Sequence, residues 1–175
     1  MLMTAVIAVL IVIAAILGFA WSKPGSFRIA RESVIKAAPE KIFPLINDFH
    51  EWSKWSPWEK MDPAMTRGFS GSAAGKGAAY AWSGNKKVGE GRMEIIDTKA
   101  PERIAIKLDF LKPFAAHNIT EFTLQPGEGG TRVSWAMTGE SPFMFKLMGL
   151  FMNMDQMIGK DFEAGLANMK AVAER

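Results

Sequence analysis

His50 and His117 are the only histidines, and there is no cysteine. The chain therefore has no disulfide, no thiolate nucleophile and no Cys-ligated metal, and two histidines alone do not make a His-based zinc site. Glycine clusters at Gly75-Lys76-Gly77 and at Gly127-Glu128-Gly129-Gly130. Neither cluster has phosphate-loop spacing followed by a helix, so both read as hairpin turns. Charge is dense in one alternating segment, where Glu90, Arg92 and Glu94 share a parity against Gly89, Gly91, Met93 and Ile95. That pattern turns the charges outward as an exposed ladder; turned inward, they would be the only dense ionic cluster in the interior. What remains is chemistry of binding: apolar contact, shape and a few buried hydrogen-bonding groups.

Trp52, Trp55 and Trp58 recur every third residue and so project from neighbouring positions of a helical or 3₁₀ turn. They form an aromatic wall at a cavity mouth or a plug at the end of the core. Asn118 and Thr120 share strand parity with Phe122 and Leu124 and should point inward. A buried amide or hydroxyl left without a partner costs about 1–3 kcal/mol, so a ligand, a water or a neighbouring side chain must satisfy each. His117 falls on the opposite, wet face of that strand. Tyr80, Trp82, Trp135 and Met137 extend the candidate ligand-binding set along other strands, and Phe151, Met154 and Ile158 extend it onto the last helix. Six of the twelve methionines lie between Met144 and Met169. Methionine is flexible and polarizable, which suits a pocket accepting several ligands. The half of that helix around Phe143–Met157 is apolar on nearly every side, beyond what one core-facing stripe can use, so its excess needs a cavity, a membrane surface or a partner. From this pattern Phe145, Met148 and Met152 are expected to shape a cavity entrance near the bilayer.

The elements that position these residues follow from periodicity. Residues 26–36 read as a strand with neither face purely apolar. Ala38–Phe43 starts a helix, with Pro39 near the first helical position and Glu40 in the first turn, and Ile42, Leu45, Ile46 and Phe49 recur at helical spacing. Strands are expected at about 65–70, 77–83, 87–97, 102–111, 114–125 and 130–139, separated by Gly, Pro and Asn turn signals. The clearest places Ile104, Ile106, Leu108 and Phe110 on one face and Arg103, Ala105, Lys107 and Asp109 on the other. From Pro142 onward one long helix is expected, with Leu147, Phe151, Met154, Ile158, Phe162, Leu166 and Met169 as its stripe and Asp161 mostly off it. An antiparallel sheet wrapped around this last helix buries both apolar faces in that order, an α+β architecture.

Ahead of this domain, Leu2–Ala20 carries no charge. Extended through Trp21, it makes a helix of about 30 Å, enough to cross a bilayer core. Trp21 occupies an interfacial position, and Lys23, Pro24 and Gly25 end the helix. Two other readings are a cleaved secretory signal, with Gly18-Phe19-Ala20 as the cleavage site, and a buried core helix. No Lys or Arg precedes the run, and it exceeds a signal core, which favours an anchor. The division is then residues 1–22 as a transmembrane anchor and 23–175 as the folded domain. Lys23, Arg28, Arg31 and Lys36 follow the helix, so a single-pass topology places the domain in the cytoplasm. The net charge of +3 falls short of the clustered basic face that nucleic acid requires, while anionic head groups suit it.

The string APEKIFPLINDFHEWSKWSPWE, from Ala38 to Glu59, resembles the first helical segment of the SRPBCC superfamily in its polyketide cyclase/dehydrase-like branch. Val88-Gly-Glu-Gly-Arg-Met-Glu-Ile95 and Gly130-Thr-Arg-Val-Ser-Trp135 resemble its central and last strands. The resemblance spans roughly residues 26–172 and implies a helix-grip (START-like) fold, with a hydrophobic cavity between sheet and C-terminal helix. The superfamily includes START-type lipid carriers, plant-allergen-like binders, cyclases and ring-hydroxylase subunits, so architecture does not select an activity. The residues point to a non-catalytic binder of lipid-like or other hydrophobic small molecules at the bilayer, with no cofactor, no metal, no nucleic acid and no identifiable protein partner. A cyclase- or dehydrase-like enzyme would need an inward acid or base, where parity supplies Asn118 and Thr120. An interaction module would dock the apolar helix face on another membrane protein.

Overall fold

A computed structural model describes residues 2–175. Helix α1 (Leu2–Ser22) leads into β1 (Ser26–Ile35), α2 (Pro39–Asn47), a 3₁₀ segment (Phe49–Lys54) and the short α3 (Trp58–Met61). Six strands follow, β2 (Thr66–Gly71), β3 (Ala78–Ser83), β4 (Glu90–Lys99), β5 (Arg103–Lys112), β6 (Ala116–Gly127) and β7 (Gly130–Glu140), and then α4 (Phe143–Met148) and α5 (Met154–Ala173). All seven strands form one antiparallel sheet in the order β1-β7-β6-β5-β4-β3-β2. The α+β reading of the sequence holds.

Consecutive hairpins build most of this sheet, and β1 closes it by pairing with β7, Ile29 opposite Met137. On β4 and β5, Ile95 pairs with Ile106 and Asp97 with Ala105, which leaves Ile96 as an extra residue in a bulge. A bulge sharpens local twist and bends the strand, helping the sheet curve toward α5. Its concave face supplies Ile95, Ile104, Ile106, Phe122, Leu124, Val133 and Trp135 to the core, and α5 returns Phe162, Leu166 and Met169 against them.

β1 reads as mixed because its concave face carries Arg31, which locks sheet to helix. The Arg31 guanidinium crosses Gly159, where a Cβ would lie 2.0 Å from Nη2. It donates to Glu163 Oε1 at 2.7 Å and to Asp155 Oδ2 at 3.0 Å, one helical turn to either side. Gly165 makes the same kind of room for Trp135, whose ring would lie 2.7 Å from an added Cβ.

The expectation of one continuous helix from Pro142 is corrected: it breaks between Met148 and Met154. Asn153 restarts it, its Oδ1 accepting from the Gln156 amide at 3.0 Å, and Asp155 adds negative charge at the positive end of the new dipole. Because of the break, α4 leaves the α5 axis and meets the end of α1, where Trp21 and Phe143 lie 5.8 Å apart and Ser141 N–H donates to the Gly25 carbonyl at 2.8 Å. Phe151 falls in the break and is 75% exposed; Met144, Met152 and Met157 are exposed as well. Helix α1 is exposed along its described length except at Ala20, so it is not a core helix of this domain.

Candidate functional site

Between the concave face and the first turns of α5 lies a predominantly apolar cavity of about 390 Å³. β6 presents Asn118 and Thr120 to it, β7 Trp135 and Met137, and β3 Tyr80 and Trp82; Trp52 and Trp58 close one end, and Met154 and Ile158 come from α5. Ten of the thirteen candidate residues thus meet at one cavity. Asn118 and Thr120 are both under 9% exposed. Neither side chain hydrogen bonds to another described residue. A donor–acceptor amide and a hydroxyl therefore open onto the cavity one pleat apart, free to pair with a guest.

Three candidates lie elsewhere. Trp55 is fully buried behind the wall, its Nε1 donating to the Leu45 carbonyl at 2.7 Å. Phe122 has the expected inward parity, but Trp52, Trp55 and Trp135 cover it at centroid distances of 6.2, 6.1 and 4.8 Å, so it packs in closed core. Phe151 faces outward because of the helix break. Of the expected entrance residues only Phe145 reaches the lining; Met148 and Met152 do not.

The tryptophans divide their labour. Trp52 Nε1 donates to the Ile46 carbonyl at 3.0 Å, and with Trp55 it ties down the C-terminal carbonyls of α2, which the helix leaves unpaired. Trp135 stacks on Phe162 at 4.2 Å and 6° and lies edge-on to Trp55 and Trp58. Trp82 spreads over Gly91, where a Cβ would come within 2.5 Å of its ring, and donates to the Val88 carbonyl at 2.9 Å.

Sequence reasoning missed two carboxylates. Glu59, on α3, accepts from Tyr80 Oη at 2.7 Å and from Arg67 Nε at 2.8 Å, with only 9% of its side chain exposed. Burial, and then the Glu59 carboxylate, push the Tyr80 hydroxyl well above its ordinary range, so it stays a neutral donor. Asp161 lines the cavity from α5, and burial raises its pKa. Strand parity is blind to both, because both come from helices. A signal did exist for Asp161, which follows Met154 and Ile158 at i, i+4, i+7 spacing. The expectation that an inward titratable group is lacking is corrected on this point.

The outer face carries the remaining charge. Lys112 donates to Glu90 at 2.7 Å, and Arg92 to Glu94 at 3.2 Å. Exposed His117 lies with Nδ1 2.7 Å from Oδ1 of the buried Asp109. Burial works to raise the Asp109 carboxyl, but hydrogen bonds from His117 and Lys107 outweigh it and hold the group below its ordinary value.

Residues 26–174 match a family model described as polyketide cyclase / dehydrase and lipid transport. None of the curated proteins compared with the sequence matches it. Among solved structures, protein CV1439 from Chromobacterium violaceum shares 18% identity at a TM-score of 0.60, covering 87% of this chain and 99% of its own. The Aha1 dimer from Colwellia psychrerythraea shares 18% at 0.58, covering 85% and 96%. The di-domain ARO/CYC StfQ from the steffimycin biosynthetic pathway shares 12% at 0.63, covering 85% of this chain and 51% of that one. At such identities the likeness is one of fold.

Proposed function

Since this chain belongs to the polyketide cyclase / dehydrase and lipid transport family, we propose that it binds hydrophobic small molecules, non-catalytically, in the cavity between sheet and α5, while α1 holds it in a membrane. One observation carries the binding half: two buried hydrogen-bonding side chains, Asn118 and Thr120, stand without partners among the described residues on a predominantly apolar wall. A guest with a polar group on an apolar body satisfies them and removes apolar surface from water, at about 25 cal/mol per Å² before the costs of ordering. A neutral, environment-sensitive apolar dye added to the full-length chain in lipid nanodiscs tests it: saturable, blue-shifted emission above that of empty discs is expected, and a linear partition signal equal to theirs opposes the reading.

The membrane half rests on α1, which is long and apolar enough to cross a bilayer and is exposed to whatever surrounds it. The basic residues that follow support a cytoplasmic domain. Reporters fused to the C-terminus are expected to give cytoplasmic fluorescence and no alkaline phosphatase activity. The opposite pattern reverses the topology, and a mature N-terminus at Trp21 removes the anchor.

A second reading, an enzyme of the cyclase or dehydrase kind, is favoured by Asp161, an acid on the cavity wall that no described residue pairs with. Recovery of a bound guest chemically unchanged after prolonged incubation separates binder from catalyst.

A further inference from the structure

Asp161 is a part-buried, cavity-lining carboxylate that no described residue pairs with; Glu140, the other unpaired acid of the lining, is exposed to solvent. Its neighbours one turn away on α5, Met157, Ile158, Ala164 and Gly165, carry no charge. The acids on the other edge of the helix, Asp155 and Glu163, are held by Arg31, and across the cavity Glu59 is held by Arg67 and Tyr80. No ion pair engages Asp161 among the described residues, and its carboxyl is raised by burial alone, with no charged group acting on it. The basic side chains that touch the lining, Arg28 and Lys87, are exposed at the rim, where solvent screens them.

We propose that Asp161 makes the cavity selective for amphiphiles with a cationic or neutral polar end, such as a long-chain amine or alcohol, over fatty acids and other anionic amphiphiles. The inference rests on the cavity being the binding site. An ammonium entering beside Asp161 gives the carboxylate the opposite charge it lacks, and Asn118 and Thr120 supply further acceptors and donors. An ionised carboxylate entering the same space meets a like charge away from bulk water and finds no paired cation to offset it.

The test titrates octylamine, octanol and octanoate into the full-length chain in zwitterionic nanodiscs at about pH 7.5, where the amine is cationic and the acid ionised. The fluorescence of Trp58, Trp82 and Trp135, which line the cavity, reports binding. Octylamine is expected to bind at least about tenfold more tightly than octanoate, with octanol between them. Asp161→Asn is expected to bring amine and acid to within about threefold of each other. Octanoate binding the parent as tightly as octylamine overturns the inference, as does an unchanged ratio in Asp161→Asn. If Asp161→Asn is unfolded by circular dichroism, the parent's ratio alone decides. If octanol binds without any charge preference, only the selectivity fails; if none of the three binds, the cavity reading fails with it.

Discussion

Thr120→Asp is expected to abolish uptake of a neutral apolar dye, raising its apparent Kd at least about tenfold, while the chain stays folded. Thr120 is 3% exposed, opens onto the cavity and pairs in register with Met137, so an ionised carboxylate there stands uncompensated on the wall that a neutral guest must cover. Aspartate is short and cannot carry its charge back to solvent. Met154, by contrast, is half-buried in the first turn of α5, where a lysine would reach water along its own stem. Thr138→Asp, at an exposed position of β7, is the control and should bind like the parent. The measurement pairs dye titration near pH 8 with thermal unfolding of the same samples. Parent-like uptake by a folded Thr120→Asp puts the guest elsewhere; loss of uptake by Thr138→Asp as well points to a general effect of charge on the sheet.

Trp135→Ala is expected to cost about 3–5 kcal/mol, as truncation of a buried aromatic does. For a chain of this length that lowers Tm by roughly 10 °C. Trp135 is the hub of the aromatic cluster: Phe162 of α5 stacks on one face, Phe122 lies 4.8 Å away, and Trp55 and Trp58 meet it edge-on. Its removal leaves a void that Gly165, with no side chain, cannot fill. Differential scanning calorimetry checks the value, and Trp82→Ala, at a half-buried wall position, should lower Tm by much less while weakening dye binding. Equal losses of stability in the two variants would erase the distinction between the packed hub of the wall and its half-buried part.

How much of this was legible in the sequence depended on the element. Alternation along β5, β6 and β7 located Asn118, Thr120, Trp135 and Met137, because a strand's period of two assigns each side chain to a face. The same rule gave Phe122 the right face but could not say that Trp52 and Trp55 cover it, since cover comes from a segment seventy residues earlier. The helical half was harder. A Met- and Phe-rich run satisfies several helical stripes at once, so it hid the break before Asn153, although Asn153 and Asp155 together spell an N-terminal cap. Glu59 sits on a helix of four residues, too short to show a period, and only its hydrogen bonds to Tyr80 and Arg67 reveal its place. In β1 the alternation left neither face purely apolar, and Gly159 with the acids beside it explains the charge of Arg31.

Native mass spectrometry of the full-length chain, released from detergent micelles under gentle activation, addresses binding at its source. The account predicts a protein ion carrying one apolar guest of discrete mass, which leaves on collisional activation and is depleted in Thr120→Asp but retained in Thr138→Asp. A folded parent protein that emerges only without a guest, from cells and after incubation with apolar compounds alike, contradicts it.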